Sequence, residues 1–514
     1  VCALLDGLAH AHARGVVHRD LKAANVLVRG GDVVLADFGL AWVPRDDQTY
    51  VPGGTPTYMA PEQFGDGGHR IGPWTDLFAL GCLCWRLIFG TPPWPERGWS
   101  AARQAREARP PPPNAPRLAV PERLMTWLLQ TLEPRPGDRF LSAADARRAW
   151  VSLREVEGSW SPPRLHEQDA RTVRTLESAP TQVTGRPAFA RNTAVDWRGI
   201  EVGGGSPVLA LPGFRPVPCV GRADLLDRLW RTLEEVEIRR EPVRVRLAGL
   251  EGVGRRSLAR HFGMLASERG AADVLRITQE GDGSPMDGLG GLVVRALGLR
   301  GTCDVSDQVA EVLADRWEDL RPLAQDLAAL TGRGGLQRPL EPRARVRTAF
   351  RLVRSMARAR TVLLVVEDPI DDPHADDDVQ MLVEALASVR LPVMVVAVGG
   401  PRGAYEALPV PPLSPEARTE LAQRLLPLTG PTTAALLSAA GSRPRQIVRL
   451  LVEAARRGRL VPEGPAWRLR EGSWFVAPTS DAGERLFGLV LDAGDVLPLE
   501  IAACLGHRIV GREW

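Results

Sequence analysis

Lysine is almost missing from this chain: of 65 basic residues, Lys22 alone is a lysine and the rest are arginines. Tyrosine is nearly as scarce, with 3 copies in 514 residues, and aromatic residues reach only 5%. No apolar run is long enough to cross a bilayer, so no membrane segment is expected. The six cysteines, Cys2, Cys82, Cys84, Cys219, Cys303 and Cys504, show neither metal-ligand spacing nor a disulfide framework. That argues against a cysteine-held metal and a secreted disulfide scaffold, and suits a reducing cytoplasm. Charge of one sign is also lacking: 65 basic against 62 acidic residues leave a net +3. So small an excess gives no reason to expect a nucleic-acid partner.

What is present is ordinary for a water-soluble protein, 44% hydrophobic and 25% charged residues over a length that allows two to four domains. Against this background three stretches stand out near the start. They are His18-Arg19-Asp20-Leu21-Lys22-Ala23-Ala24-Asn25, then Ala36-Asp37-Phe38-Gly39, then Gly54-Thr55-Pro56-Thr57-Tyr58-Met59-Ala60-Pro61-Glu62. Between Asn25 and Asp37 lie two apolar runs joined through Gly30-Gly31-Asp32, which predicts a tight β-hairpin returning both residues to one end.

In order and spacing these stretches resemble the catalytic loop, metal-binding loop and activation-segment end of the eukaryotic-like (Hanks-type) bacterial serine/threonine protein kinases. The resemblance covers roughly the first third of the chain. It implies transfer of the ATP γ-phosphate to protein serine or threonine hydroxyls with magnesium. Asp20 would orient the substrate hydroxyl as base, Lys22 neutralise the moving phosphate, and Asn25 and Asp37 hold magnesium through oxygen. Lys22 and Thr55 fit the serine/threonine branch. Arg19 beside the base implies control by activation-loop phosphorylation, with Thr49 the first candidate acceptor or else a plain polar loop residue. Asp76, at the head of the apolar stretch Thr75 to Gly90, would scaffold the catalytic loop, and Arg139 would pair with Glu62. Val1 to Arg14 reads as the helix before the catalytic loop, so the small lobe would lie before residue 1 and this polypeptide alone is expected to be inactive. The competing expectation is a pseudokinase scaffold without catalysis.

After a kinase large lobe over residues 1–155, residues 156–216 turn to Pro, Gly, Ser and Thr and read as a flexible linker. Residues 217–450 alternate strand and helix, which predicts a parallel α/β sheet. There Gly249, Gly252 and Gly254 give the glycine skeleton of a P-loop, followed by Arg255, Arg256 and Ser257. This stretch resembles the STAND class of P-loop ATPases, related to the AAA proteins, in degenerate form: arginines stand where lysine and a magnesium-binding hydroxyl belong. Glu367 and Asp368 end what looks like the second P-loop strand, placed for magnesium or water. Such a unit implies a signalling partner. Residues 451–514 are expected to begin a helical or winged-helix region. The arginine-rich, lysine-poor composition suits a GC-rich bacterial genome.

Overall fold

The computed structural model describes residues 1–29, 32–38, 54–64, 71–94, 103–104, 106–111, 120–155, 217–278, 287–299, 305–332, 340–367, 377–399, 404–456, 459–464 and 466–470. Thr49, the linker at 156–216, Asp368, and residues 471–514 of the expected helical or winged-helix region lie outside them. The chain forms two units, one of Val1–Trp197 with Glu268–Gly270 and the other of Arg198–Ser267 with Ala271–Trp514.

The first unit is mainly helical. Helix α1 (Cys2–Ala13) buries Leu4, Leu5 and Leu8, one face at helical spacing. It leads into the loop His18–Asn25 and then a hairpin, β1 (Val26–Arg29) and β2 (Asp32–Leu35), paired antiparallel with Val26 opposite Leu35. Helix α2 (Pro73–Phe89) is the centre of the unit, buried without a break from Thr75 to Trp85. Proline at its first position costs no helical hydrogen bond, and Gly90 closes it in the left-handed conformation with φ 78°. Helices α3 (Glu122–Thr131) and α4 (Ala143–Glu155) pack around it. Ser142 caps α4 by accepting from Asp145 N at 3.1 Å. The core gathers Leu5, Leu8, Leu77, Phe78, Leu80, Leu128 and Leu153.

The second unit is an α/β layer structure. Helix α5 (Ala223–Arg239) precedes β3 (Val243–Ala248), then α6 (Arg255–Glu268) and β4 (Asp273–Thr278). Helices α7 (Gly288–Leu297), α8 (Ser306–Arg316), α9 (Ala324–Leu330) and α10 (Pro342–Ala359) follow. Then come β5 (Val362–Glu367), α11 (Asp377–Ala387), β6 (Val393–Val398) and the short β7 (Glu406–Pro409). The five strands lie in the order β4-β5-β6-β3-β7, all parallel. Strands β5 and β6 are buried along their whole length, as a parallel sheet covered on both faces requires of its centre. Leu364→Ala there would leave a cavity worth about 2–5 kcal/mol.

Beyond the sheet, α12 (Pro415–Leu425), α13 (Gly430–Ala440) and α14 (Pro444–Arg456) share a separate core through Leu421, Leu436 and Ile447. A hairpin of β8 (Leu460–Glu463) and β9 (Ala466–Leu469) packs on it through Leu460 and Trp467. The division expected between residues 450 and 451 falls inside α14. The apolar positions of that helix belong to one core on both sides of the cut, which also takes in Leu413 and Val220.

Candidate functional site

Asp20 is the centre of a hydrogen-bonded knot. Its Oδ2 accepts from Lys22 Nζ at 2.6 Å, and its Oδ1 accepts from both the backbone N and the Oγ1 of Thr55 at 2.8 Å. Lys22 Nζ also reaches Thr55 Oγ1 at 3.2 Å. Asn25 Nδ2 donates to the Asp20 carbonyl at 2.8 Å, tying the two ends of the loop together. Burial would push the Asp20 carboxyl up, but the hydrogen bonds and charge of Lys22 and the donors of Thr55 outweigh it and hold it below the usual carboxylate range. It is therefore ionised at neutral pH, a ready hydrogen-bond acceptor of weak basicity.

The loop is held from beneath by Asp76 of α2, which is fully buried. Its Oδ1 accepts from Arg19 N at 2.8 Å and its Oδ2 from His18 N at 2.9 Å and His12 Nε2 at 2.8 Å. Burial opposes ionisation here too, and His12 and His18 more than compensate, so Asp76 also lies below its ordinary value. Arg19 takes the left-handed conformation at φ 67°, a strained setting for a long side chain that these bonds impose. His18 reads the other side, with Nε2 donating to the Ala36 carbonyl at 3.1 Å. Ala36 N donates to Asn25 O at 2.8 Å. The hairpin register and these two bonds carry Asp37, itself at φ 59°, back to the end where Asn25 sits.

The stretch from Thr55 to Gln63 is fastened to the same loop. Gln63 Nε2 donates to Arg19 O at 2.8 Å while its Oε1 accepts from Ala60 N at 2.9 Å. Glu62 and Arg139, both buried, form a two-pronged pair at 2.8 and 3.0 Å, and Thr75 Oγ1 adds a third bond to Glu62 at 2.9 Å. Arg139 also donates to the carbonyls of Glu133 and Pro134 and stacks over Phe78. Arg106, almost wholly buried, donates to the carbonyls of Pro56 and Thr57 and lies over Phe64 and Trp94. His12, Gln63 and Arg106 were not among the residues singled out from sequence. Their partners lie tens of residues away, and Arg106 sits in a segment with no apolar period to mark it.

Residues 1–147 match the family described as the protein kinase domain. The chain carries a protein kinase domain. The kinase domain's relatives include the serine/threonine-protein kinase Pkn1 of Myxococcus xanthus, 40% identical over 154 residues, covering 28% of this chain and 22% of the relative. PknB of Mycobacterium tuberculosis is 30% identical over 187 residues, covering 35% and 29%. PkaA of Streptomyces coelicolor is 38% identical over 202 residues, covering 36% and 35%. The chain thus spans between about a fifth and about a third of the length of these curated relatives. Among the described residues no helix is long and apolar enough to cross a membrane.

In the second unit the glycine-bearing loop joins β3 to α6, at the carboxyl end of a central strand flanked by β6 and β7. A side chain at Gly249 would meet the Val410 carbonyl at 2.6 Å, and Gly252 and Gly254 have φ of 79° and 96°. The loop's carbonyls are taken: Val253 O accepts from the buried Arg222 at 2.9 Å, and Gly252 O from Arg445 N at 3.3 Å. Arg445 also pairs with Glu251 at 2.7 Å. Arg255 opens α6 half-buried, while Arg256 and Ser257 are exposed. Glu367, at the end of β5, is buried and bonded to Arg260 and Arg276.

Proposed function

We propose that the kinase domain transfers the ATP γ-phosphate to serine or threonine hydroxyls of protein substrates. The observation that carries this reading is the knot joining Asp20, Lys22 and Thr55. One carboxylate is presented with a cation on one oxygen and a hydroxyl and an amide on the other, the arrangement a hydroxyl acceptor needs. In this reading Asp20 orients the substrate hydroxyl and receives its proton, and Lys22 turns from Asp20 toward the arriving phosphate. Thr55 lines the place where a short serine or threonine side chain reaches Asp20.

The residues present fit magnesium. Asn25 spends its amide nitrogen on the Asp20 carbonyl, which leaves its carbonyl oxygen for a hard cation, and the hairpin returns the Asp37 carboxylate to the same end. Magnesium-bound ATP would supply the transferable phosphoryl group and most of the charge neutralisation. Asp76, Gln63, Glu62 and Arg139 position the loop and the activation segment without touching the reacting atoms. Thr49 remains the proposed acceptor for activating phosphorylation, with Arg19 the proposed partner of its phosphate.

The second unit serves as a STAND-like P-loop regulator that takes a phosphate-bearing ligand or a signalling partner. Its support is the glycine loop at the carboxyl end of β3, where the sheet order changes direction, the usual place for a ligand in an open parallel sheet. A cytoplasmic setting goes with both units. Phosphotransfer by the full-length protein to matched peptides bearing serine, threonine or tyrosine tests the first proposal. Label on serine and threonine alone is the expected result; label on tyrosine, or on none, contradicts it.

A further inference from the structure

The residues that flank a substrate hydroxyl at Asp20 have to pass the stretch that carries Thr55, and that stretch is tied down residue by residue. Thr55 N and Oγ1 donate to Asp20 at 2.8 Å. The buried Arg106 donates to the carbonyls of Pro56 at 2.7 Å and Thr57 at 3.0 Å, and Tyr58 N turns back to Thr55 O at 2.8 Å. Thr55 to Tyr58 is thus one closed turn, and the Tyr58 side chain roots it in the core of the kinase domain.

The hydroxyl of Tyr58 meets a charge. Arg86, exposed in the last turn of α2, donates from Nη1 to Tyr58 Oη at 3.0 Å. A guanidinium carries five N–H donors and this bond uses one of them. Among the described residues no carboxylate pairs with Arg86. A cation at the end of α2 suits the helix dipole, but that role needs no tyrosine. The bond to Tyr58 does something further: it orders a long side chain before any ligand arrives, which lowers the entropy cost of binding one. A carboxylate is the group that fits, because it accepts two parallel N–H bonds from a guanidinium edge. Residues three apart in a turn lie within about 7 Å, and extended peptide advances about 3.3 Å per residue. A guanidinium one side chain beyond Tyr58 therefore reaches a substrate residue roughly two to four places from the acceptor.

We propose that the kinase domain selects substrates with an acidic residue close to the acceptor serine or threonine, and that Arg86, steadied by Tyr58, binds its carboxylate. The acceptor half rests on the phosphotransfer reading; the carboxylate subsite can be measured without it.

The test uses the full-length protein and peptides with one acceptor serine, in which glutamate, glutamine or lysine is placed in turn at each position up to about four residues on either side. At the position facing Arg86 the glutamate peptide should exceed its glutamine counterpart by about fivefold in kcat/KM, through KM, with the lysine peptide below both. Arg86→Glu should invert that order. Arg86→Lys should keep it in weaker form, and Arg86→Gln, which can still donate to Tyr58, should lose it. Equal kcat/KM for the three peptides at every position, or an order that survives Arg86→Glu, would overturn the proposal. So would Arg86→Lys and Arg86→Gln proteins that shift all three peptides alike, the result expected if Arg86 only props Tyr58. Fluorescence anisotropy with alanine in place of the acceptor reads the subsite without chemistry. Tighter binding of the glutamate peptide that is lost in Arg86→Gln supports the proposal even where no phosphate moves, and equal binding overturns it. Absence of label from every peptide counts against the phosphotransfer reading alone.

Discussion

Asp20 and Glu367 are both carboxylates that burial pushes up and that neighbouring cations hold below the usual range. Asp20 answers to one ammonium and to neutral donors from Thr55; Glu367 answers to two guanidiniums. The type of cation differs as well. The chain's one lysine is spent at Asp20, where a point charge on a flexible stem can follow a phosphate, whereas planar guanidiniums fix Glu367 in place.

The sharpest way to break this comparison is to give Asp20 the other kind of cation. Lys22→Arg should lower kcat of the full-length kinase by about 10²–10³-fold, because a hydrogen-bonded fork stays on the carboxylate. Arg260→Lys, the reverse exchange at Glu367, should change nothing beyond a small drop in melting temperature.

Next in size is Arg139→Ala. It strands the buried Glu62 carboxylate and should destabilise the kinase domain by about 3–5 kcal/mol, read from urea unfolding. Thr55→Ala removes the hydroxyl from the Asp20 knot and should cost about tenfold in kcat/KM, with Thr55→Ser restoring most of it.

Acid should separate the two sites through linkage. Asp20, Asp76 and Glu367 all have folded values below their ordinary ones, so the stability each contributes is complete above the ordinary carboxylate range and is lost as pH falls through the lowered folded value. Urea midpoints should stay flat from pH 7 to about pH 5 and then fall. Asp20→Asn should flatten that acid limb for the kinase domain only, and Glu367→Gln for the second unit only. The smallest effect concerns Cys82 and Cys84 of α2, whose thiols burial pushes up to about 12 and about 11. They should resist alkylation at pH 8 until the kinase domain unfolds, and alkylation in the folded state would show that α2 is not packed as described.

The kinase domain was legible because its motifs are short and contiguous. Asp20, Lys22 and Asn25 lie within six residues, and the glycine-joined apolar runs announced the hairpin that returns Asp37. The apolar stretch closed by Gly90 likewise announced α2. What escaped is what the fold alone brings together: His12 to Asp76 across 64 residues, Gln63 to Arg19 across 44, and Arg106 to Pro56 across 50. The parallel sheet was readable from the continuous apolar runs of β5 and β6. Glu367 was noticed only as an acid at a strand end, since its arginines are 107 and 91 residues away and nothing local distinguishes a metal-seeking carboxylate from a clamped one. The shared core of α12 to α14 was missed for a similar reason: each helix is apolar on a face, but which faces meet is a tertiary fact.

The most direct measurement is phosphotransfer by the full-length protein from radiolabelled ATP with magnesium, beside the same protein carrying Asp20→Asn. The account predicts incorporation into serine or threonine that falls by about 10³-fold or more in the variant while the fold, checked by circular dichroism, is kept. Equal incorporation in both proteins, or none in a folded wild type, would contradict the assignment of catalysis to the Asp20 knot.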